Sequence, residues 1–248
     1  MMEISINGKE CTCEKGEFLL EVAKRNGFDI PTLCHHPGLA EQGCCRVCIV
    51  EVVENGRSKV VVSCVYPLER PCEVYTDSER IKEERSVILM LLKTRAPASS
   101  EIQAMCDKYG AFETSRLKPV DGEKCILCGL CTKACDALGT GAISTINRGV
   151  TKKVATPYEN PSVDCIGCTS CAQVCPTGAI EWSEDGETRT IWGKNFALAK
   201  CESCGSIIST EAELRFAGER AGVETNSLCE SCRKKSMADV LAHTYGIE

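Results

Sequence analysis

A chain of 248 residues with 35 acidic and 29 basic side chains carries a formal charge of −6. That balance argues against a nucleic-acid partner, which wants a basic face. Its 21 cysteines lie far above ordinary usage and leave a disulfide scaffold or a set of metal sites, while aromatic residues make up only 5%. The start, MMEISINGKE, lacks the basic and apolar regions of a signal peptide, and the longest apolar run near the middle, VILMLL (87–92), is too short to span a bilayer. A cytoplasmic location without a membrane segment is therefore expected. In that compartment clustered CxxC pairs read as metal ligands rather than disulfides. With so few aromatic residues, much of the core is expected to be organised around metal clusters.

In chain order, residues 1–78 form the first expected domain. EISINGKECTC reads as two short strands around Asn7-Gly8. GEFLLEVAKRNG reads as a helix with apolar Phe18, Leu19, Val22 and Ala23, ended by Gly27. After a loop, VCIVEVVENGRSKVVVSCV (47–65) reads as a second hairpin turning at Asn55-Gly56. Hairpin, helix, loop and hairpin suit a β-grasp ferredoxin. The domain carries a set of four cysteines, Cys34, Cys45, Cys48 and Cys64, spaced C-x10-C-x2-C and then x15 to the fourth. Cys44 adjoins Cys45, and the CxxC register to Cys48 favours Cys45. Residues 79–120 are expected to be a helical connector, with Ile88, Leu89, Leu91 and Leu92 on an apolar stripe.

Residues 121–183 hold CILCGLCTKAC and CIGCTSCAQVCP, both spaced C-x2-C-x2-C-x3-C. This is the bacterial ferredoxin run that holds two [4Fe–4S] clusters. Three thiolates of each run wrap one cluster. The fourth, expected at the start of a helix, reaches the other cluster. Cys125, Cys128, Cys131 and Cys175 would then hold one cluster, and Cys165, Cys168, Cys171 and Cys135 the second. Gly129, Gly167, Thr169 and Ser170 are small enough to let backbone amides approach the inorganic sulfurs. Pro176 follows the second run, whereas Asp136 stands where the first would have proline.

Residues 184–248 form an extension with Cys201, Cys204, Cys229 and Cys232 in two CxxC pairs. Two such knuckles suit a structural four-thiolate zinc site. A third [4Fe–4S] cluster is the rival. Between the pairs, Thr210 and Glu213 read as a capping box that starts a helix. A further helix is expected from Cys232, with Met237, Val240 and Leu241 on one face. The remaining cysteines, Cys11, Cys13, Cys44, Cys72 and Cys106, read as small core residues. His35 and His36 follow the Cys34 ligand and read as solvent-facing groups or donors behind it rather than as ligands.

IPTLCHHPGL…CCRVCIVEV…SC resembles the N-terminal [2Fe–2S] domain of the large iron–sulfur subunit of respiratory complex I. Diaphorase iron–sulfur subunits of NAD-linked hydrogenases and the N-termini of iron-only hydrogenases share that domain. EKCILCGLCTKACD…CIGCTSCAQVCPTGAI resembles the two-cluster module that follows it. The resemblance covers about residues 1–182 and implies that Cys34, Cys45, Cys48 and Cys64 hold a [2Fe–2S] cluster. It also implies a neighbouring flavin subunit that handles NAD(P)H. Between the modules that family carries a further cluster on one His and three Cys. Here only Cys106 remains, so that site reads as lost. Fumarate-type reductase subunits use a shorter x4 first gap, which counts against them.

The expected fold class is thus α+β. It comprises a β-grasp [2Fe–2S] ferredoxin domain, a helical connector, a bacterial two-[4Fe–4S] ferredoxin domain and a small four-cysteine metal-binding domain. No Gly-rich phosphate loop follows a strand; GTGAIS (139–144) lacks the third glycine. The function expected is an electron-wire subunit of a multi-subunit NAD(P)H-linked oxidoreductase, with no catalytic residue of its own. Its partners would be a flavin/NAD(P)H-binding subunit and a catalytic hydrogenase or formate dehydrogenase subunit. Ferredoxin would be a further partner if the complex bifurcates electrons. The alternative is a free-standing polyferredoxin or redox sensor.

Overall fold

The computed structural model describes residues 1–223 and 227–246. The chain divides into two compact units, Met1–Ala134 with Val174–Ala179, and Cys135–Gln173 with Ile180–Glu248. In the first, β1 (Met2–Ile6) and β2 (Lys9–Cys13) form a hairpin through Asn7 and Gly8, both left-handed at φ 49° and 82°. Two left-handed residues give a turn whose twist matches the strands, and Asn-Gly tolerates it best. After α1 (Leu19–Arg25), Asn55-Gly56 repeats the device between β3 (Ile49–Glu54) and β4 (Arg57–Val62). β5 (Glu73–Tyr75) completes a sheet ordered β2-β1-β5-β3-β4, in which β1 and β5 run parallel and the other neighbours antiparallel.

Period-two alternation puts Ile4, Ile6, Val50, Val52 and Val74 on one buried face. Leu19, Leu20, Val22 and Ala23 of α1 pack into the same core. Burying each Val, Leu or Ile contributes about 1.5–3 kcal/mol. Cys11, Cys13 and Cys72 are buried in this core as small apolar side chains.

The connector is two helices, α2 (Glu79–Arg95) and α3 (Ser100–Tyr109), which pack on each other. Ser78 and Ser99 cap them, accepting hydrogen bonds from Ile81 N and Ile102 N. Leu89, Ile102 and Cys106 are buried together with Leu33, Cys34, Cys45 and Cys128. The Cys106 thiol donates to Leu89 O at 3.7 Å. Leu91 does not join this face and is exposed. Two helical residues turn the chain by about 200°, so Leu91 points away from Leu89 while Leu92 stays close to it.

α4 (Leu130–Leu138) follows the first cysteine run. The second unit contains the small hairpin β6 (Ser144–Ile146) and β7 (Lys153–Ala155), then the single turn α5 (Ser170–Gln173). An antiparallel sheet follows, ordered β11-β10-β9-β8: β8 (Trp182–Glu184), β9 (Thr188–Ile191), β10 (Lys194–Lys200) and β11 (Ile207–Thr210). This sheet has no counterpart among the elements expected from the sequence. α6 (Glu211–Ala221) packs on β10 and β11 and starts as expected, with Thr210 Oγ1 accepting from Glu213 N at 3.1 Å. α7 (Glu230–Tyr245) starts two residues before Cys232, and Met237, Val240 and Leu241 are exposed on it.

Candidate metal and cluster centres

The β3–β4 register pairs Ile49 with Val62, which sets the loops carrying Cys48 and Cys64 side by side. Ser63 locks them by donating to Cys48 O from N (3.1 Å) and Oγ (2.8 Å). Cys34 arrives from the loop after α1, and Cys45 N donates to its sulfur at 3.4 Å. All four cysteines of this set are buried. Thiol hydrogen bonds from Cys44, Cys45 and Cys64 push the Cys34 pKa far down. A bond from Cys64 brings Cys48 to about 6. The four expected residues therefore converge, and Cys44 converges with them. Cys44 is exposed, and its thiol also donates to Cys128 O at 3.1 Å.

The His35 side chain is buried rather than solvent-facing, between Glu41 Oε1 (2.8 Å from Nδ1) and Glu21 Oε1 (3.2 Å from Nε2). His36 Nδ1 accepts from Gly38 N. Behind the ligand loop, Arg85 of α2 is 1% exposed. It donates to Val47 O (3.1 Å), Ile49 O (2.8 Å) and Thr76 O (3.2 Å). Its guanidinium lies 5.1 Å over the Tyr109 ring. Sequence reasoning missed this residue. The available signal was register: Ile81, Arg85 and Leu89 recur every four residues, which places a cation on the buried face of α2.

Cys125, Cys128, Cys131 and Cys175 all fall in the first compact unit, because Val174–Ala179 belongs to it. Leu127 (φ 56°) and Gly129 (φ 78°) are left-handed, and Leu127 N donates to Cys125 Sγ at 3.3 Å. Ala179 N donates to Cys175 Sγ at 3.3 Å. Burial pushes Cys128 to about 11 and Cys131 to about 12, and the Cys175 thiolate adds to the upward push on Cys125, Cys128 and Cys131.

Cys135, Cys165, Cys168 and Cys171 all fall in the second unit and line one cavity, with Ile143, Ile191 and Trp192. Ala142 N donates to Cys135 Sγ at 3.2 Å. Gly167 (φ 72°) admits no side chain, since a Cβ there would lie 2.7 Å from the Phe196 ring. Burial raises Cys171 to about 11, with smaller contributions from Cys168, Cys135 and Cys165.

The fourth cysteines, expected to open helices, do not: α4 opens at Leu130 and α5 at Ser170, beside the third cysteines. Cys135 sits one turn later in α4, and Cys175 lies beyond the end of α5. The reason is the x3 spacing, which is about one helical turn from Cys131.

In these sets, amide N–H groups are aimed at sulfur inside pockets whose dryness penalises bare thiolates. Such pockets suit thiolates gathered round a cationic centre, and iron–sulfur clusters fit them.

Cys201, Cys204, Cys229 and Cys232 form a tighter group, with all four sulfurs within 4.8 Å of one another. Cys204 Sγ and Cys229 Sγ are 3.7 Å apart. Among the described residues this is the one group compact enough to hold a single metal ion. The first knuckle closes through Gly205 N to Cys201 O and Cys201 N to Ser206 O, both 2.8 Å. Cys229 caps α7, and its N donates to Cys201 Sγ at 3.3 Å.

Residues 1–79 match a family described as a 2Fe-2S iron-sulfur cluster binding domain, and residues 119–182 one described as a 4Fe-4S dicluster domain. The chain is 32% identical over 259 residues to the NADP-reducing hydrogenase subunit HndD of Solidesulfovibrio fructosivorans, covering 90% of this chain and 42% of that one. It is 26% identical over 205 residues to the mitochondrial NADH-ubiquinone oxidoreductase 78 kDa subunit of Candida albicans, covering 72% and 28%. The chain thus spans less than half the length of these curated relatives. A solved structure, an NAD+-reducing [NiFe]-hydrogenase in the H2-reduced state, superposes with a TM-score of 0.61 at 26% identity, over 72% of this chain and 86% of that one.

Proposed function

We propose that this chain, which carries a 2Fe-2S iron-sulfur cluster binding domain and a 4Fe-4S dicluster domain and is similar to subunits of NAD(P)-linked hydrogenases and complex I-like oxidoreductases, is an electron-wire subunit of such a complex. Its partners are a flavin subunit that handles NAD(P)H and a catalytic subunit of the hydrogenase or formate dehydrogenase type. The observation that carries the reading is the gathering of twelve thiols into three buried or half-buried sets within a fold that superposes on a hydrogenase chain. Cys34, Cys45, Cys48 and Cys64 hold a [2Fe–2S] cluster. Cys125, Cys128, Cys131 and Cys175 hold one [4Fe–4S] cluster, and Cys135, Cys165, Cys168 and Cys171 the other. Bound there, the clusters supply one-electron transfer with no bond made or broken. The chain's own residues fix the thiolates, exclude water and aim amide N–H groups at sulfur.

At Cys201, Cys204, Cys229 and Cys232 the sulfur spacing favours zinc. Four thiolates at about 2.3 Å from one zinc lie about 3.8 Å apart. Thiolates radiating from four separate irons of a cube lie ~6 Å apart. The 3.7 Å contact and the 4.8 Å limit match the first figure. Elemental analysis of anaerobically prepared chain should give about ten irons and one zinc. About fourteen irons without zinc would reverse that choice.

The functional test is reconstitution. The isolated chain should neither oxidise NADH nor evolve hydrogen, and added to its partners it should restore transfer between the flavin and catalytic subunits. Cys48→Ala should cut the NAD(P)H-linked rate at least tenfold and leave the catalytic subunit's dye-linked activity within about twofold. If both assays ignore the substitution, the [2Fe–2S] domain is off the main path. If the chain leaves cells with no large partner, it is a free carrier or sensor.

A further inference from the structure

The sheet that follows the dicluster domain takes hold of one cluster loop. Arg189 Nη1 donates to Gly167 O at 3.0 Å, and Thr210 Oγ1 to Ile166 O at 2.5 Å. Phe196 fills the space against Gly167. Lys194 Nζ donates to Ser162 O (2.9 Å), Val163 O (3.3 Å) and Cys165 O (3.0 Å). The loop from Ser162 to Gly167 is thus tied by residues that lie beyond position 182, outside the matched dicluster domain.

Lys194 of this sheet and Trp192 of its β9–β10 turn place a cation and an unspent donor beside the second set. The Lys194 ammonium directs its hydrogen bonds to carbonyls, and among the described residues no carboxylate pairs with it; it also lies 4.9 Å from the Phe196 ring centroid. Arg189, by contrast, is paired with Glu184 at 2.8 Å. Trp192, left-handed at φ 53° in the β9–β10 turn, lines the cavity of the second set. Its Nε1 is shielded from solvent and makes no hydrogen bond within the protein. Lys194 binds the carbonyl of Cys165 itself, and Trp192 shares its cavity with Cys165, Cys168 and Cys171.

A site that gains an electron gains negative charge, and a nearby cation or N–H donor stabilises the reduced form more than the oxidised one. We propose that Lys194 and Trp192 are positioning residues that raise the midpoint potential of the [4Fe–4S] cluster on Cys135, Cys165, Cys168 and Cys171. This rests on the assignment of both sets as [4Fe–4S] sites.

The test is EPR-monitored redox titration of the full chain, prepared anaerobically and poised with dithionite as the one-electron reductant. The signal that survives Cys175→Ala identifies this cluster in the unmodified chain. Trp192→Phe keeps the ring and removes the N–H, and Lys194→Met keeps the stem and removes the charge. Each should lower the reduced-to-oxidised ratio of that cluster at fixed potential by three- to tenfold, a tenfold change being about 59 mV for one electron. The other cluster should not move. Lys194→Arg should restore most of the shift, which a merely structural contact would not require. If both substitutions leave that cluster's midpoint unchanged with iron content intact, the proposal fails. If one variant loses the cluster, the midpoint of the other decides. A chain with fewer than two [4Fe–4S] signals would instead overturn the underlying assignment.

Discussion

Cys175→Ala should abolish the EPR signal of the cluster on Cys125, Cys128 and Cys131 and leave that on Cys165, Cys168 and Cys171. Sequence proximity suggests the opposite, since Cys171 is the nearer neighbour. The geometry reverses it. Val174–Ala179 packs as part of the first compact unit, where Cys175 acts electrostatically on Cys125, Cys128 and Cys131. Cys135 plays the reciprocal part, acting on Cys165 and Cys171 in the second unit. Three thiolates leave one iron without a protein ligand, and loss of that iron leaves at most a three-iron cluster, so the expected effect is nearly complete loss of the [4Fe–4S] signal from the affected site. Low-temperature EPR together with iron analysis reads it directly. Selective loss of the cluster on Cys165, Cys168 and Cys171 would require the crossed ligation to be withdrawn. In Cys106→Ser, by contrast, nothing should change in the cluster inventory, because that thiol is spent on Leu89 O inside the connector core.

The second large effect is expected at Arg85→Leu, which should destabilise the first unit by about 3 kcal/mol. Two terms compete. Removing a buried guanidinium relieves its desolvation, and apolar replacement of a buried ion can be neutral. Here the hydrogen-bond partners are three backbone carbonyls, of Val47, Ile49 and Thr76, and these stay behind, while the ion pair to the exposed Asp77 is long at 3.9 Å. Each buried carbonyl left short of a donor costs about 1–3 kcal/mol, so the loss outweighs the relief. Against a typical total of about 5–15 kcal/mol this is a large fraction. The thermal midpoint of anaerobically held protein should fall by roughly 10 °C. The [2Fe–2S] absorbance should decay first, because Val47 sits between Cys45 and Cys48 in the ligand loop. Arg85→Lys, which keeps the charge but not the fork, should recover only part of the loss. A midpoint within about 2 °C of the unmodified chain would show that water replaces the lost donors.

Much of this molecule is determined by local sequence. The two C-x2-C-x2-C-x3-C runs, the Asn-Gly turns and the Ser and Thr caps each act over a few residues, so spacing and residue type suffice to define them. The alternation of β1 and β3 likewise sets the buried face without reference to the rest of the chain. What the tertiary structure alone decided are contacts between residues far apart in sequence. Burial of Arg85 against carbonyls some 36 to 38 positions away depends on how α2 lies over the β3 loop. Cys44 reads as a spare thiol beside Cys45, yet folding brings it to Cys34 and to Cys128 O, 84 residues on. The sheet of β8 to β11 was not legible in the sequence, since short strands such as β8 and β9 carry little periodicity. Its grip on the Ser162–Gly167 loop exists only because Lys194, Phe196 and Thr210 return across 29 to 44 residues. Motif spacing could group the cysteines into candidate ligand sets because metal coordination tolerates only certain short loops. It could not name the charges and donors around them, because those arrive by packing, and packing is not local.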